Sequence, residues 1–289
     1  MSHRRLEIGR AIVHIIDDGQ IWMDAGGLFG LVPKRLWSRV TSADEENRVP
    51  IVLRCLLIES QGKRILIDTG YGDKMTPRVR EILGLPPDDR DRLLRSLAEA
   101  GFKPEDIDIV LNTHLHADHC GGNTRQSDGL DARAQPSFPN ATYWVQRLEL
   151  ADASFPNERT RGTYFAENFQ PIADAGQLHV IDGDVWVTDE VRTWIAPGHT
   201  RSHQCVVIES EGEAAIFLAD AIPWAVHMER LAWVPAYDID PLTSIQTKKQ
   251  IIAWATRHQA RLIFQHDPRI DVGRLVETDG RWRVVPQPE

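Results

Sequence analysis

The sequence predicts a layered α+β domain, and three observations carry that reading. Short apolar runs of strand length recur along the whole chain. Two clear helical patterns are set among them. The order is strands, helix, strands, helix over 289 residues. That order at that length fits a single domain spanning 1–289 better than two separable ones.

Taken in order, residues 6–16 alternate as a strand does. Residues 17–50 have poor periodicity, carry several glycines, and hold exposed-looking apolar groups at Trp22, Leu28, Phe29, Leu31 and Trp37. Strands at 51–59 and 64–68 flank Gln61-Gly-Lys63, a hairpin signal. Leu93, Leu94, Leu97 and Ala98 give 88–100 a helical spacing, with Gly101 as its C-cap. Asp108–Asn112 reads as a buried strand. Residues 124–140 are polar and turn-rich, Thr142–Gln146 is extended, and 147–170 is helical in part, broken by Pro156. Short strands recur at 178–181, 185–188, 191–195, 204–210 and 214–219, and Glu211-Gly-Glu213 turns the last pair. Pro241–His258 is the second clear helix, with Ile245, Ile251, Ile252 and Ala255 on its apolar side. The tail, 274–285, has two extended pieces around Asp279-Gly280.

Composition narrows the function. The formal net charge of −9 argues against a nucleic-acid binder, which carries a basic footprint. No run approaches the 18 or so apolar residues of a membrane span. The N-terminus lacks the apolar stretch of a signal peptide, so the expected compartment is cytoplasmic. Cys55, Cys120 and Cys205 are too few and too scattered for a disulfide framework. Cys55 and Cys205 read as small core residues, and Cys120, directly after His119, is a weaker ligand candidate beside histidines and carboxylates that already supply enough donors.

The chemistry is concentrated in His114-Leu-His-Ala-Asp-His119, where four of six side chains can bind a metal ion. In extended backbone, side chains two apart point the same way, so His114 and His116 reach one ion together. Asp118 and His119 follow where the chain turns toward a helix, and can face a second. The cluster sits at a strand's C-terminal end, where open α/β sheets place their sites. Further along, His199, Asp220 and His266 each follow an apolar run, and each can point to the same rim. Rival chemistries are missing. Gly26-Gly-Leu-Phe-Gly30 lacks the Lys-Ser/Thr ending of a phosphate loop, and there is neither a G-x-S-x-G elbow nor a Cys-x-x-Cys pair.

The ordered set Leu66-Ile-Asp-Thr-Gly70, Thr113–Gly122, Pro197-Gly-His-Thr200, Leu218-Ala-Asp220 and Phe264-Gln-His-Asp267 resembles the metallo-β-lactamase superfamily. The resemblance implies an αββα sandwich of two mixed sheets flanked by helices, with a binuclear metal site at one edge. It implies His114, His116 and His199 at site one, Asp118, His119 and His266 at site two, Asp220 bridging the ions, and Asp68 supporting the ligands. Five imidazoles and two carboxylates suit Zn²⁺ first, and also Mn²⁺, Fe²⁺ or Co²⁺. Zn²⁺ lowers the pKa of a bound water to about 7, which makes a hydroxide nucleophile available at neutral pH.

Only 23 residues follow His266 and 45 separate Asp220 from His266. Neither length holds the helical C-terminal region of hydroxyacylglutathione hydrolases or the inserted domain of RNA-cleaving members. The chain is therefore most similar to the compact lactonases and esterases, such as acyl-homoserine lactonases. The expected reaction is opening of a small lactone or ester, with phosphotriester or thioester hydrolysis as the alternative. An oxygen-dependent non-haem iron enzyme is the alternative of another class. A departure bears on the substrate. Lactonases of this kind place a tyrosine three positions after the bridging aspartate, and here that position is Pro223. His227 is expected to replace it at the substrate oxygen, with Asp118 and Asp220 as the other catalytic groups. Segment 17–50 is expected to cover the metals or form a homodimer contact. Trp22, Phe29 and Trp37 on that side, and Trp224, Trp233 and Tyr237 opposite, are the candidate pocket walls for a small-molecule substrate.

Overall fold

The computed structural model describes residues 3–86, 89–126 and 133–288. Part of the turn-rich stretch 124–140 therefore lies outside the described residues. The chain opens with β1 (Arg4–Ile8) and β2 (Ala11–Asp24), an antiparallel hairpin turned at Gly9-Arg10. The single strand expected over 6–16 is thus two. β2 also runs on into the segment read as unpatterned. Its register against the next strand shifts between Asp17 and Gln20, where Gly19 has φ 84°. Such an irregularity breaks the alternation by which a strand is recognised.

Helices α1 (Ala25–Phe29) and α2 (Lys34–Trp37) follow, then β3 (Arg48–Ser60) and β4 (Lys63–Ile67). Gln61 and Gly62 both take positive φ, as a two-residue hairpin turn requires. Next come α3 (Pro77–Ile82), α4 (Arg92–Glu99), β5 (Ile109–Leu111) and α5 (Ala117–Cys120). A short ribbon of β6 (Thr124–Gln126) and β7 (Ala134–Pro136) leads to β8 (Thr142–Gln146), α6 (Arg147–Ser154), α7 (Gln170–Asp174) and β9 (Leu178–Ile181). The second half holds β10 (Val191–Ile195), β11 (Gln204–Ser210), β12 (Glu213–Phe217), α8 (Ala225–Glu229) and α9 (Pro241–His258). It ends with β13 (Arg261–Ile263), β14 (Val272–Thr278) and β15 (Arg281–Pro286). Residues 185–188 form no strand; only an isolated bridge joins Trp186 to Arg192.

The strands make a seven-stranded sheet, β1-β2-β3-β4-β5-β8-β9, and a six-stranded sheet, β10 to β15 in order. They face each other across a core that includes Leu56, Ile58 and Ile67 from the first and Val206, Phe217 and Ile263 from the second. The outer face of the first sheet, with Leu57, Leu66 and Val110, is covered by Leu93 and Leu97 of α4 and Ile172 of α7. That of the second, with Val207, Ile216 and Leu262, is covered by Ile251, Ile252 and Ala255 of α9. The result is an αββα sandwich. Its central strands are buried on both faces, so they read as unbroken apolar runs.

Two pairings fix the site. β4 and β5 are parallel, and so are β12 and β13. β10 reaches the same direction through two antiparallel pairings with β11 and β12. The C-terminal ends of all five strands therefore open on one edge of the sandwich. No helix among the described residues is long and apolar enough to cross a membrane.

Candidate metal centre

Each of the seven expected ligands follows one of those strand ends. β5 delivers His114 and His116, and α5 carries Asp118 and His119. The loops after β10, β12 and β13 deliver His199, Asp220 and His266. Their donor atoms fall into two groups, each within 4.8 Å: His114, His116, His199 and Asp220, and Asp118, His119 and His266. Asp220 touches both. Its Oδ2 lies 3.0 Å from His199 Nε2 and its Oδ1 lies 2.9 Å from His266 Nε2. Oδ2 is also 3.4 Å from His119 Nε2 and 3.8 Å from His114 Nε2.

The electrostatics suit cations. Burial, and then the neighbouring histidines, hold the His114 and His116 imidazoles well below their ordinary pKa, so both stay neutral with a lone pair to offer. Burial alone would raise the Asp220 carboxyl. His199, His266 and His119 outweigh it and hold the group well below the usual carboxylate range. Among the described residues, His114 Nε2 and Asp220 Oδ1 are buried without a hydrogen-bond partner, and the close approach of Oδ1 to His266 is an ion-pair contact. Buried polar atoms are costly to leave unpaired, and a cation between them would satisfy both.

The rings are aimed from behind. Asp68, in left-handed backbone at φ 56°, accepts from Thr113 N at 2.8 Å and Thr113 Oγ1 at 2.7 Å, and faces His119 Nδ1 at 2.9 Å. His266 Nδ1 lies 2.8 Å from the Val52 carbonyl, and His199 Nδ1 lies 3.0 Å from Asp238 Oδ1. Glu149, buried on α6, ties the two histidine loops together. Oε1 accepts from Leu115 N at 3.1 Å, and Oε2 from Thr200 Oγ1 at 2.6 Å. His203 Nε2 accepts from the Asp220 amide at 3.2 Å and so helps hold the Asp220 backbone. The sequence reading misses Asp238 and Glu149: Asp238 follows no strand-like run, and Glu149 lies on α6 after β8, outside any metal-binding motif.

Residues 53–270 match the metallo-beta-lactamase superfamily. The chain belongs to that superfamily. Among curated relatives, an N-acyl homoserine lactonase of Bacillus cereus is 27% identical over 240 residues, covering 76% of this chain and 83% of the relative. The N-acyl homoserine lactonase AttM of Rhizobium radiobacter is 27% identical over 240 residues, covering 78% and 84%. Among solved structures, a probable metal-dependent hydrolase from Staphylococcus aureus superposes with a TM-score of 0.87 at 28% identity, covering 98% of this chain and 99% of that one. AidC, a dizinc quorum-quenching lactonase solved with a product, superposes at 0.79 with 22% identity, covering 100% and 98%; at that identity the likeness is one of fold. This superfamily member is a metallohydrolase.

As in any hydrolase of this fold, the metal edge needs a place for substrate. A cavity of about 490 Å³ opens onto His116, Asp118, His199 and Asp220. Ile21, Trp22 and Met23 at the end of β2 form one apolar wall, with Ile82 and Leu83 beside it. Tyr71, Tyr237 and Ile239 also line it, as do Arg159 and Thr160. Trp22 and Tyr237, two of the candidate wall residues, thus line this cavity.

Other expected wall residues are not. Phe29 and Trp224 are fully buried and edge-to-face at 5.7 Å, inside an apolar cluster that also takes in Trp37 and packs Trp233 against it. None of these four lines the cavity. His227 is also displaced from its expected role. It is fully buried in α8, stacks on Phe29 at 5.7 Å, and meets the Leu28 carbonyl through Nε2 at 3.1 Å. The Pro223-Trp224 pair turns the chain inward under α1 rather than across the cavity mouth. Pro223 itself stands beside Asp118, Asp220 and His266 in a small recess, without a hydroxyl to offer.

Proposed function

We propose that this protein is a binuclear metal-dependent hydrolase that opens a small lactone or cleaves a carboxylic ester. His114, His116 and His199 would hold one ion and Asp118, His119 and His266 the other, with Asp220 shared. The observation that carries the reading is the span of Asp220, whose two oxygens lie within 3.0 Å of histidines from opposite groups. A donor set of imidazole and carboxylate without thiolate favours Zn²⁺. When bound, such a pair supplies Lewis acidity and water activated near neutral pH.

The chain's own residues do the rest. The apolar wall of Ile21, Trp22 and Met23 receives the acyl or aryl part of the substrate and excludes water around the reacting carbonyl. Tyr237 takes the part once expected of His227. It lines the cavity with Asp118, His199 and Asp220. Burial, then the charges of Asp118, Asp24 and Asp220, push its hydroxyl up to about 12, so it stays protonated and can donate to a substrate oxygen. Gly27 in α1 makes room for it, since a Cβ there would overlap the Tyr237 hydroxyl. The relatives named as N-acyl homoserine lactonases support a lactone as the first substrate to test.

Elemental analysis of gently purified protein, followed by assay on lactones, aryl esters, thioesters and phosphotriesters with and without oxygen, tests the proposal. Two ions per chain and oxygen-independent hydrolysis are expected. One ion under metal-replete conditions, or turnover that needs oxygen, contradicts it.

A further inference from the structure

His199 enters the cluster through Nε2, and its other nitrogen faces Asp238 Oδ1 at 3.0 Å. Asp238 is only 3% exposed. Its second oxygen accepts from Ser244 Oγ, in the first turn of α9, at 2.5 Å. The backbone around it is stitched to the loop that carries His199. Asp240 N donates to Gly198 O at 3.0 Å, Ile239 N to His199 O at 3.3 Å, and Thr247 Oγ1 to Pro197 O at 2.6 Å. Gly198, at φ 135°, lies so close to Ser244 that any Cβ would overlap its side chain. The residue before Asp238 is Tyr237, on the cavity wall.

We propose that Asp238 is a positioning residue for His199. As acceptor for the Nδ1–H, its carboxylate fixes the tautomer that leaves the Nε2 lone pair directed at the cluster, and Ser244 fixes the carboxylate in turn. His119 is served in the same way by Asp68, a residue of the superfamily's own motif. Asp238 comes instead from the segment that also presents Tyr237. One short stretch, Tyr237-Asp238, thus holds both a substrate-facing hydroxyl and the orientation of a metal ligand. This inference rests on the two-ion reading above.

The test is Zn²⁺ retention, measured by chelator competition on Asp238→Ala, Asp238→Asn and Ser244→Ala, beside the thermal midpoint of each metal-free protein. Partners of this kind typically set metal affinity by about 10- to 100-fold. Asp238→Ala is expected to weaken one ion by about that factor and leave the other unchanged. Asp238→Asn keeps an oxygen acceptor without the charge and should weaken the same ion less, and Ser244→Ala less again. Unchanged affinity for both ions overturns the proposal. So does equal weakening of both in step with a lower metal-free midpoint, which a merely structural role would give. If Asp238→Ala does not fold, the other two variants decide: wild-type affinity in both overturns it. A wild-type protein that never holds two Zn²⁺ ions brings down the two-ion reading and this inference with it, and does so before any substitution is made.

Discussion

The two sides of the cleft are built differently. The metal side hangs on the ends of five strands, of which β4, β5, β12 and β13 are buried along their cores and β10 is a half-buried edge strand. Its ring nitrogens are backed by partners such as Asp68, Asp238 and the Val52 carbonyl. The facing side is assembled from the end of β2, the loop after α3 and the irregular stretch after α8. A ligand displaced by an ångström loses its ion, so the first side is placed by the stiffest elements of the fold. A substrate wall needs only shape and apolar surface, so it is placed by segments that can vary without disturbing the sheets. Substitutions on the first side should therefore act on metal and turnover together, and those on the second on turnover with metal retained.

The largest expected effect belongs to Asp220→Asn. The change keeps the side chain's shape and removes the one negative charge that both groups share. Turnover should fall at least about 100-fold, equivalent to about 2.7 kcal/mol in the barrier. Elemental analysis should find the loss of one ion, while circular dichroism remains that of the folded protein. Wild-type turnover in this variant would break the contrast on its metal side.

A smaller effect is expected of Tyr237→Phe. The ring still fills its place over Gly27, and only the hydroxyl goes. kcat/KM on the best substrate should drop about 10-fold, or about 1.4 kcal/mol, with both ions retained. If the variant instead loses metal, the wall is not independent of the rim, and the Tyr237-Asp238 stretch transmits the damage. If kcat/KM is unchanged for every substrate class, the phenol only packs.

The contrast also explains what the sequence revealed. Strand ends and the candidate ligands are readable because an apolar run followed by an imidazole or a carboxylate is a local signal, repeated at His114, His199, Asp220 and His266. Thr142–Gln146 and Pro241–His258 were readable for the same reason: each pattern is complete within its own segment. The cleft's other side depends on where irregular backbone goes after a Pro-Trp pair or a β-bulge, and no local period encodes that. Asp17–Asp24 reads as part of a covering loop in the sequence because the bulge breaks its alternation. Asp238 and Glu149 look like ordinary surface carboxylates until distant loops fold onto them.

His227 shows how that blindness misleads, and His227→Ala should have the smallest effect on catalysis. The imidazole is enclosed against Phe29 and held by the Leu28 carbonyl. Burial first, and then Lys248, lower its pKa from 6.5 to about 3, so the folded protein keeps it neutral. The unfolded chain takes up a proton below about 6.5 and the folded one does not. The stability this residue contributes is therefore complete above about pH 6.5 and is lost as pH falls toward 3. Truncation leaves a void beside Phe29 and an unpaired carbonyl, together costing about 2–3 kcal/mol. Urea denaturation at pH 7.5 should show that deficit. At pH 5.5 the gap between wild type and variant should narrow by about 1.4 kcal/mol, because only the wild type carries the titrating group. Turnover and metal content should stay at wild-type levels throughout. A fall of about 10-fold in kcat with both ions in place would return His227 to the reaction, and would mean that the wall beneath α1 governs chemistry as well as shape.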